Sequence, residues 1–441
     1  MAENPYQYST PVSDPERFAG RTEALAFLQT HLVGGHQRRV PVILGAAQMG
    51  KSSLLRQIPE HLDPHYCPIR LSLRAGTVAG EQAWLSALAA TIPQALEILD
   101  IQSARLPTLP AEPDALRKAL LGDYMTEGLH AMRQGRHLLL LVDNAERLLH
   151  AVGRSLPEDS FTFLAALLEE HAHFDMVMAF DARYEQDVLA VGLPFDPALI
   201  YRLGRLPRHE ADALLTGPAA GTLIYTPEAL DAIFDLAAGH PYLTQLMGWL
   251  LFEQADKTGS GEVGAADVEA VIEMALGMAG DTLGAAWTGG TPQDRLVLTA
   301  LSVLSQGEPP TPVPPDDIGA WLIAAENPLE PRTVNAIWRR LEYEDVLRLE
   351  DGRLIINGGL QRRWLREHVM LPGKARRAYW RRVILVGVVA VLVLAVLLAI
   401  LSSLPGPGTA SDGGSDATIT LDLGLQATDD AYNATQTAVA R

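Results

Sequence analysis

The chain has 441 residues, of which 35 are basic and 53 acidic, so its formal net charge is −18. Apolar residues make up 48% of it, which suffices for a buried core and excludes a wholly disordered chain. The excess of acidic residues argues against a protein that coats nucleic acid by general charge. The single cysteine, Cys67, cannot form an intramolecular disulfide, and we expect most of the chain to be cytosolic.

A glycine-rich loop at residues 45–52 carries the strongest chemical signal. It fits the pattern G-x-x-x-x-G-K-[ST], in which backbone N–H groups and a lysine bind nucleotide phosphates and the hydroxyl coordinates Mg²⁺. An apolar, strand-like run at 39–44 precedes the loop, and a helical pattern follows it. We therefore predict a site for ATP or ADP with Mg²⁺, formed by Gly45, Ala46, Ala47, Gln48, Met49, Gly50, Lys51, Ser52 and Ser53.

An apolar run at residues 137–142 ends in Asp143. A carboxylate at the carboxyl end of a buried strand is where a P-loop enzyme holds Mg²⁺, so we predict Asp143 and Ser52 as metal ligands. The alternative is an ordinary strand followed by an Asp-Asn turn. The next residue, Asn144, cannot accept a proton from an attacking water, whereas Glu146 can. Slow hydrolysis of ATP, or none, is therefore expected.

Three more apolar runs are typical of strands, at residues 68–73, 174–180 and 198–203. All five runs are too far apart for hairpins, so we predict an α/β fold with a parallel sheet covered by helices on both faces. Arg183 follows the run 174–180 and is a candidate sensor of the γ-phosphate, with a solvated surface arginine as the alternative. The candidate catalytic residues are Lys51, Asp143, Glu146 and Arg183.

Downstream, residues 206–256 have helical patterns and contain the motif Gly239-His240-Pro241. A P-loop ATPase followed by a helical lid with a Gly-x-Pro motif resembles the STAND class of signal-transduction ATPases, which are related to AAA+ proteins. The segments 4–6 (Asn-Pro-Tyr) and 18–21 (Phe-Ala-Gly-Arg) are similar to the N-terminal arm and the GR box of that class. The resemblance covers roughly residues 4–370.

This resemblance implies how the nucleotide base is held. In the class the arm and the GR box grip the adenine, which assigns Phe18, Gly20 and Arg21 to cofactor binding. Pro241 is implied to pack on the adenine and to report the nucleotide state to the next domain. The alternative for the Gly-x-Pro motif is a simple turn between helices. Asn144 departs from the acidic pair that is common in the class, which affects hydrolysis and not binding.

The patterns in residues 293–371 predict three helices, a strand pair around the Asp351-Gly352 turn and a closing helix, which together make a winged helix. Such modules often bind DNA, and Arg332, Arg339 and Arg340 could contact phosphate. The same region carries carboxylates that a DNA-reading surface rarely presents, namely Glu342, Glu344, Asp345, Glu350 and Asp351. We therefore favour a regulatory lever packed on the nucleotide domain, as is usual in the STAND class.

Residues 383–404 contain no charged residue, and the first nineteen of them are apolar or glycine. About 20 such residues span the hydrocarbon core of a bilayer, so we predict one transmembrane helix there. The preceding segment, 372–382, holds five cations, whereas the tail, 405–441, holds five aspartates against one arginine. By the positive-inside rule the N-terminal domains face the cytoplasm and the short tail lies outside the cell membrane.

We therefore expect a membrane-anchored ATP-binding switch, and a slow ATP hydrolase at most, whose ATP or ADP state controls the lid, the winged helix and oligomerisation. The alternatives are a membrane-tethered winged-helix regulator that reads DNA and an ordinary remodelling ATPase. The expected partners are ATP, the lipid bilayer, further copies of the chain and an unidentified stimulus or effector protein, with DNA disfavoured. The predicted boundaries are an arm at 1–18, a P-loop ATPase domain at 19–205, a helical lid at 206–290, a winged helix at 291–371, a basic segment at 372–382, a transmembrane helix at 383–404 and a flexible tail at 405–441.

Overall fold

The computed structural model describes most of the first 369 residues. The described ranges are 3–35, 38–74, 76–101, 105–132, 135–149, 160–192, 194–307 and 309–369. Within these ranges, no helix combines the length and the apolar character needed to cross a membrane. The predicted membrane helix at 383–404, the basic segment before it and the tail after it all lie outside the described residues.

A parallel sheet forms the centre of the N-terminal half. Its strands in the described residues are β1 (Val42–Gly45), β2 (Tyr66–Ser72), β3 (His137–Asp143), β4 (Phe174–Asp181) and β5 (Ile200–Arg202). They lie in the order β2-β3-β4-β1-β5, and every pairing between them is parallel. The predicted parallel sheet is thus confirmed, although β1 and β5 are shorter than the apolar runs that indicated them.

Helices cover both faces of this sheet. In the described residues of this half they are α1 (Thr22–His31), α2 (Lys51–His61), α3 (Glu81–Ala89), α4 (Thr91–Ile98), α5 (Pro113–Leu121), α6 (Asp123–Ala131), α7 (Glu146–Leu149), α8 (Ser160–Glu170) and α9 (Glu185–Val191). Leu139 and Leu141 of β3 pack with α1 and α2 on one face, whereas Leu138 and Leu140 pack with α3 to α6 and α8 on the other. Residues 138–142 of β3 are all apolar because both faces of this strand are buried.

A group of helices, for which we keep the name lid, follows the sheet. Its described elements are α10 (Arg208–Thr216), β6 (Ile224–Tyr225), α11 (Pro227–Ala237), α12 (Pro241–Thr258), β7 (Glu262–Val263), α13 (Ala265–Met278), α14 (Gly280–Leu283) and α15 (Ala285–Thr288). Thr226 caps α11 by accepting a hydrogen bond from the Ala229 N–H, as Thr-Pro-Glu at a helix start predicts. Strands β6 and β7 pair in parallel and were not predicted, because two residues are too few to show a periodicity.

The last described elements are α16 (Pro292–Leu304), α17 (Pro315–Ala324), α18 (Pro331–Tyr343), β8 (Leu347–Glu350), β9 (Arg353–Ile356) and α19 (Gly359–His368). Strands β8 and β9 form an antiparallel hairpin. Asp351 and Gly352 at its turn have φ of +49° and +74°, as a tight two-residue turn requires. The buried residues of these elements join those of the lid in one hydrophobic cluster.

The substitution Leu140→Ala should destabilise the sheet. Leu140 has no exposed surface, and truncating a buried leucine costs about 2–5 kcal/mol because apolar contacts are lost and a cavity remains. Amide hydrogen exchange of peptides from β3 measures this loss of unfolding free energy. Ile98→Ala is the control, because Ile98 is 61% exposed. This substitution should change the free energy of unfolding by less than about 0.5 kcal/mol. Equal effects of the two substitutions would contradict the packing described.

Candidate nucleotide site

The glycine-rich loop joins β1 to the N-terminus of α2. Gly50 precedes the first turn of α2 and has a φ of +88°, a conformation that favours glycine. The N–H groups of a first helical turn have no partner within the helix, so they are available to an anion. The loop therefore has the geometry that the predicted phosphate site requires.

Lys51 supplies the positive charge of this site. Its Nζ donates hydrogen bonds to the carbonyl oxygens of Gly45 and Ala46, at 2.7 and 2.9 Å. Burial lowers the pKa of Lys51, and nearby carboxylates act in the opposite direction. A phosphate bound at the loop would compensate the buried ammonium, since a buried charge needs an opposite charge close to it.

Three carboxylates lie near Lys51, those of Asp143, Glu146 and Asp181. Asp143 ends β3 and Asp181 ends β4, and these two strands are neighbours in the sheet. Glu146 Oε2 accepts a hydrogen bond from the Asp181 N–H at 3.2 Å, and burial raises the pKa of Glu146. The parallel sheet thus brings together acidic residues that are far apart in the sequence.

Ser52 and Asp143, the predicted magnesium ligands, lie in the first turn of α2 and at the end of β3. Hydroxyl and carboxylate oxygens suit Mg²⁺, which commonly takes one or two protein ligands and completes its shell with phosphate and water. In the described part of the chain, no group of three or more His, Cys, Asp or Glu side chains is placed to hold a metal by itself. The residues present therefore fit Mg²⁺ bound together with a nucleotide.

The Arg183 guanidinium is bound to Asp181. Its Nε and Nη2 donate to the two carboxylate oxygens, at 3.1 and 3.4 Å, and these hydrogen bonds raise the pKa of Arg183. A role of Arg183 as a phosphate sensor stays a prediction, and it requires the guanidinium to exchange Asp181 for phosphate. Asp181 itself was not predicted for the site. Its place at the end of an apolar strand, the signal that identified Asp143, could have found it.

A cavity of about 370 Å³ lies beside the loop. It is lined by loop residues 47–53, by the N-terminal residues 7–12 and 17–19, and by Pro241 and Tyr242 of α12. The loop, the N-terminal residues and the lid therefore face one common space.

The cavity brings together many of the predicted nucleotide-binding residues. Phe18, Arg21, Glu146 and Pro241 line it together with most of the loop. Gly20 instead lies against the Glu210 carboxylate. The predicted residues that are not part of the lining are Gly20, Gly45, Ala46, Asp143 and Arg183.

Arg21 holds the loop to the start of the lid. Its Nη2 donates to the Met49 carbonyl oxygen and its Nη1 to the Gly204 carbonyl oxygen, both at 2.7 Å. Its own N–H donates to Glu210 Oε2 at 3.0 Å. Burial lowers the pKa of Arg21 to about 10, so the guanidinium remains charged at neutral pH. Arg21 thus connects two segments as well as lining the cavity, which the sequence did not indicate.

Residues 7–12 line the cavity; they belong to the predicted arm at 1–18, but none of them was named individually as a site residue. The Gln7 N–H donates to Gln245 Oε1 of the lid at 3.1 Å, and the Val12 N–H donates to Ser53 Oγ of α2 at 3.0 Å. The segment therefore extends from the lid to α2 along the cavity. No motif marks it, because these contacts use its backbone groups.

The motif Gly239-His240-Pro241 lies where the lid meets the ATPase domain. The Gly239 carbonyl oxygen accepts a hydrogen bond from the Leu206 N–H at 2.8 Å. Gly239 has a φ of +73°, and a Cβ there would lie 2.1 Å from the Leu206 carbonyl oxygen, so only glycine fits. Pro241 begins α12 and lines the cavity. The motif therefore connects the lid directly to the cavity wall.

Comparison with known proteins finds one family and several solved structures to which this chain is similar. The family model described as Novel STAND NTPase 1 matches residues 7–257. A Walker-type ATPase of Pyrococcus abyssi has a similar fold, with a TM-score of 0.59 and 16% identity over 81% of this chain and 99% of that one. This similarity confirms a P-loop ATPase fold.

Two further solved structures are similar at a lower level. Cdc6p from Pyrobaculum aerophilum has a TM-score of 0.40 and 15% identity over 84% of this chain and 99% of its own. The RuvB Holliday junction branch migration motor of Thermotoga maritima has a TM-score of 0.40 and 14% identity over 82% of this chain and 99% of its own. A search among curated proteins found no match.

The substitution Arg21→Ala should loosen the loop and weaken nucleotide binding. The substitution removes the hydrogen-bond donor to the carbonyl oxygen of Met49, which is a buried residue. A buried acceptor without a partner lowers the stability by roughly 1–3 kcal/mol. We expect hydrogen exchange of the glycine-rich loop to rise about tenfold or more and the affinity for a fluorescent ADP analogue to fall by a similar factor. Arg17→Ala is the control, because Arg17 also lines the cavity but pairs with Asp14 at the surface. An equal loss of nucleotide affinity in both variants would indicate a general effect of removing positive charge and would contradict a specific role of the Arg21–Met49 hydrogen bond.

Proposed function

Because this chain belongs to the Novel STAND NTPase 1 family, we propose that it is an ATP-binding molecular switch. The observation that carries the proposal is that the phosphate loop and Pro241 of the lid line one cavity. A nucleotide there contacts the ATPase domain and the lid together, so ATP and ADP can favour different arrangements of the two. Such a difference in affinity between two arrangements is what a switch requires.

The proposed bound nucleotide extends across the cavity from the loop to the lid. Its phosphates lie at the N-terminus of α2, with Lys51 as their cation. Ser52 and Asp143 hold Mg²⁺, which offsets part of the phosphate charge. The adenine lies near Phe18 and Pro241. Support for this placement comes from the cavity lining, which includes residues at both ends of the nucleotide.

We propose that hydrolysis is slow. Asn144 lines the cavity, and its amide cannot accept a proton from water. Glu146 also lines the cavity, and the hydrogen bond from the Asp181 N–H orients its carboxylate. Because burial raises the pKa of Glu146, any hydrolysis that uses it as a base should increase as the pH rises through that pKa. Slow turnover suits a protein that must keep one nucleotide between signals.

We propose that α16 to α19 and the β8–β9 hairpin form a winged helix that acts as a lever and does not read DNA. Arg340 of α18 was a candidate DNA contact. Its guanidinium lies 2.5 Å from the carboxylate of Asp294, whose side chain is 2% exposed. Helix α18 also contacts the turn at residues 182–184, directly after β4. The contact with residues 182–184 favours a lever because it connects α18 to the segment that follows β4 of the sheet, whereas the ion pair with Asp294 occupies Arg340 within the winged helix itself.

We further propose that residues 383–404 anchor the switch in a membrane, with the described domains on the cytoplasmic side and the tail outside. The support is the uncharged apolar length of this segment and the five cations that precede it. An anchor confines the chains to a surface and raises their local concentration. It would therefore favour homo-oligomers once a stimulus, here an unidentified protein, has acted on the switch.

The switch predicts a nucleotide whose binding depends on Lys51. The full-length chain, purified in detergent, should release ADP or ATP on denaturation. Lys51→Ala should lower nucleotide affinity at least about 100-fold, because it removes a buried charge-assisted contact to phosphate. Lys118→Ala is the matched control, since Lys118 is exposed on α5 and should leave the affinity unchanged. Titration with a fluorescent nucleotide measures both variants.

Turnover distinguishes the switch from its alternatives. Hydrolysis should be far slower than the roughly 10 s⁻¹ of a typical enzyme, and Glu146→Gln should lower it by at least tenfold. Fast, sustained turnover would support a remodelling ATPase. Salt-dependent binding to random duplex DNA would support the DNA-reading alternative. A wild-type chain that neither holds nor binds nucleotide would refute the proposed function.

The proposed orientation in the membrane predicts selective labelling of introduced cysteines. Cys67→Ser leaves a chain without cysteine, into which Ala410→Cys or Ala375→Cys is then placed. In intact cells a membrane-impermeant maleimide should label position 410 and should label position 375 only after the membrane is permeabilised. Equal labelling of both positions, or a chain recovered in the soluble fraction, would contradict the anchor.

A further inference from the structure

Gln245 is a buried polar residue of the lid that lines the nucleotide cavity. In the described part of the chain, three buried polar side chains line this cavity, those of Arg21, Asp181 and Gln245. Arg21 binds the Met49 carbonyl oxygen of the loop, and Asp181 lies near Lys51, so these two charged groups lie close to the loop. Gln245 carries no charge, is 5% exposed and belongs to α12.

The place of Gln245 on α12 brings it beside the base of the proposed nucleotide. Gln245 follows Pro241 by four residues, so the two residues share one face of the helix, and both line the cavity. The phosphates lie at the loop, whereas much of the remaining lining comes from the N-terminal residues and α12. The base, at the other end of the nucleotide, therefore lies beside Pro241 and Gln245.

The amide of Gln245 has a fixed orientation. The Gln7 N–H donates a hydrogen bond to Gln245 Oε1 at 3.1 Å. A backbone N–H can only donate, so the oxygen of the amide must face Gln7 and the NH₂ group must point away from it. The Nε2 atom has no hydrogen-bond partner among the described residues. A donor on a buried side chain is therefore available to a ligand in the cavity.

The N-terminal segment that orients this amide is itself firmly held. The Tyr6 hydroxyl donates to the Leu215 carbonyl oxygen at 2.6 Å and lies 2.6 Å from the Tyr225 hydroxyl. A Cβ at Gly248 of α12 would lie 2.7 Å from Tyr6 Cε1, so the glycine makes room for the aromatic ring. Gln7 directly follows this buried tyrosine. Its N–H is therefore held in place, and the amide that it binds is held with it.

The two purine bases differ at the edge that a single donor can distinguish. N1 of adenine is an acceptor, whereas N1 of guanine carries a hydrogen and has an amino group beside it. An amide NH₂ directed at N1 forms a hydrogen bond with adenine but meets another donor in guanine. A carboxylate at the same place has the opposite preference, because it accepts from both N–H groups of guanine.

We propose that Gln245 selects adenine over guanine by donating a hydrogen bond from Nε2 to N1 of the base. The selection rests on the proposed nucleotide switch and identifies the residue that decides which purine nucleotide the switch binds. Tyr6 and Gln7 act as positioning residues, because they hold the amide with its donor toward the cavity. Such a bond discriminates well, since the wrong base leaves buried polar groups without partners.

The substitution Gln245→Glu tests the selection. It keeps an oxygen for the Gln7 N–H and replaces the donor by an acceptor of nearly the same shape. The full-length wild type in detergent should bind ATP at least about 100-fold more tightly than GTP, and the variant should reduce this ratio to about threefold or less. Competition with a fluorescent nucleotide at mildly alkaline pH, where the carboxylate is ionised, measures both affinities.

Gln82→Glu is the matched control for this substitution. Gln82 is exposed on α3 and is not part of the cavity lining, so the variant adds the same charge away from the base. It should leave the ratio of ATP to GTP affinity within about twofold of the wild type, because a distant exposed charge is screened by salt.

Nucleotide analogues test the contact at N1 in the wild-type protein, without any substitution. In 1-deaza-ATP a C–H group replaces N1, and the wild type should bind it at least about tenfold more weakly than ATP because the hydrogen bond is lost. Gln245→Glu should bind 1-deaza-ATP at least as tightly as ATP. The control is 7-deaza-ATP, which keeps N1 and should bind the wild type as ATP does.

The selection is refuted if Gln245→Glu leaves the ratio of ATP to GTP affinity unchanged, or if Gln82→Glu changes it equally. Equal binding of ATP and 1-deaza-ATP by the wild type refutes the contact at N1, and so does weak binding of 7-deaza-ATP alone. A wild type that binds ATP and GTP equally well refutes the selection but leaves the nucleotide switch intact. A wild type that binds neither nucleotide refutes the proposed function, and the selection with it.

Discussion

All strands of a parallel sheet end at the same edge, and the nucleotide site depends on this constraint. Strand β1 delivers the glycine-rich loop to that edge, while β3 and β4 deliver Asp143 and Asp181. The Lys51 ammonium is thereby placed among carboxylates at the N-terminus of α2. The charges near the loop therefore fit a phosphate and a divalent cation.

Arginine side chains connect the loop to the linker at residues 204–206, and this linker to the lid and the hairpin. Arg21 binds backbone carbonyl oxygens of Met49 and Gly204. Arg205, the residue after Gly204, binds the end of α11 and Asp345. A guanidinium suits such junctions because its planar fork offers five donors that can serve several acceptors at once, which an ammonium cannot match. The short linker at residues 204–206 is therefore where loop, lid and hairpin meet.

The sequence predicted the P-loop fold well because its signals are local. A glycine-rich loop between an apolar run and a helix needs neighbours only a few residues away, and the loop at residues 45–52 occupies that position in the structure. The Asp351-Gly352 turn was predicted for the same reason, and the hairpin forms there. Asp181 and residues 7–12 were missed. Asp181 ends an apolar run, as Asp143 does, but that signal was not applied to it, and residues 7–12 contact Gln245 and Ser53 through backbone N–H groups, which no motif marks.

The sequence by itself located the glycine-rich loop, the position of Asp143 after a buried strand and the turn at Gly239-His240-Pro241 between helices. Residue type and local spacing suffice for these, because glycine conformations, helix starts and buried strands depend on short stretches of chain. Only the tertiary structure decided that Arg21 binds the loop, that Arg183 is held by Asp181 and that Arg205 reaches Asp345. The partner of a long charged side chain depends on which distant segments are packed beside it, and that packing is set by the burial of the whole core.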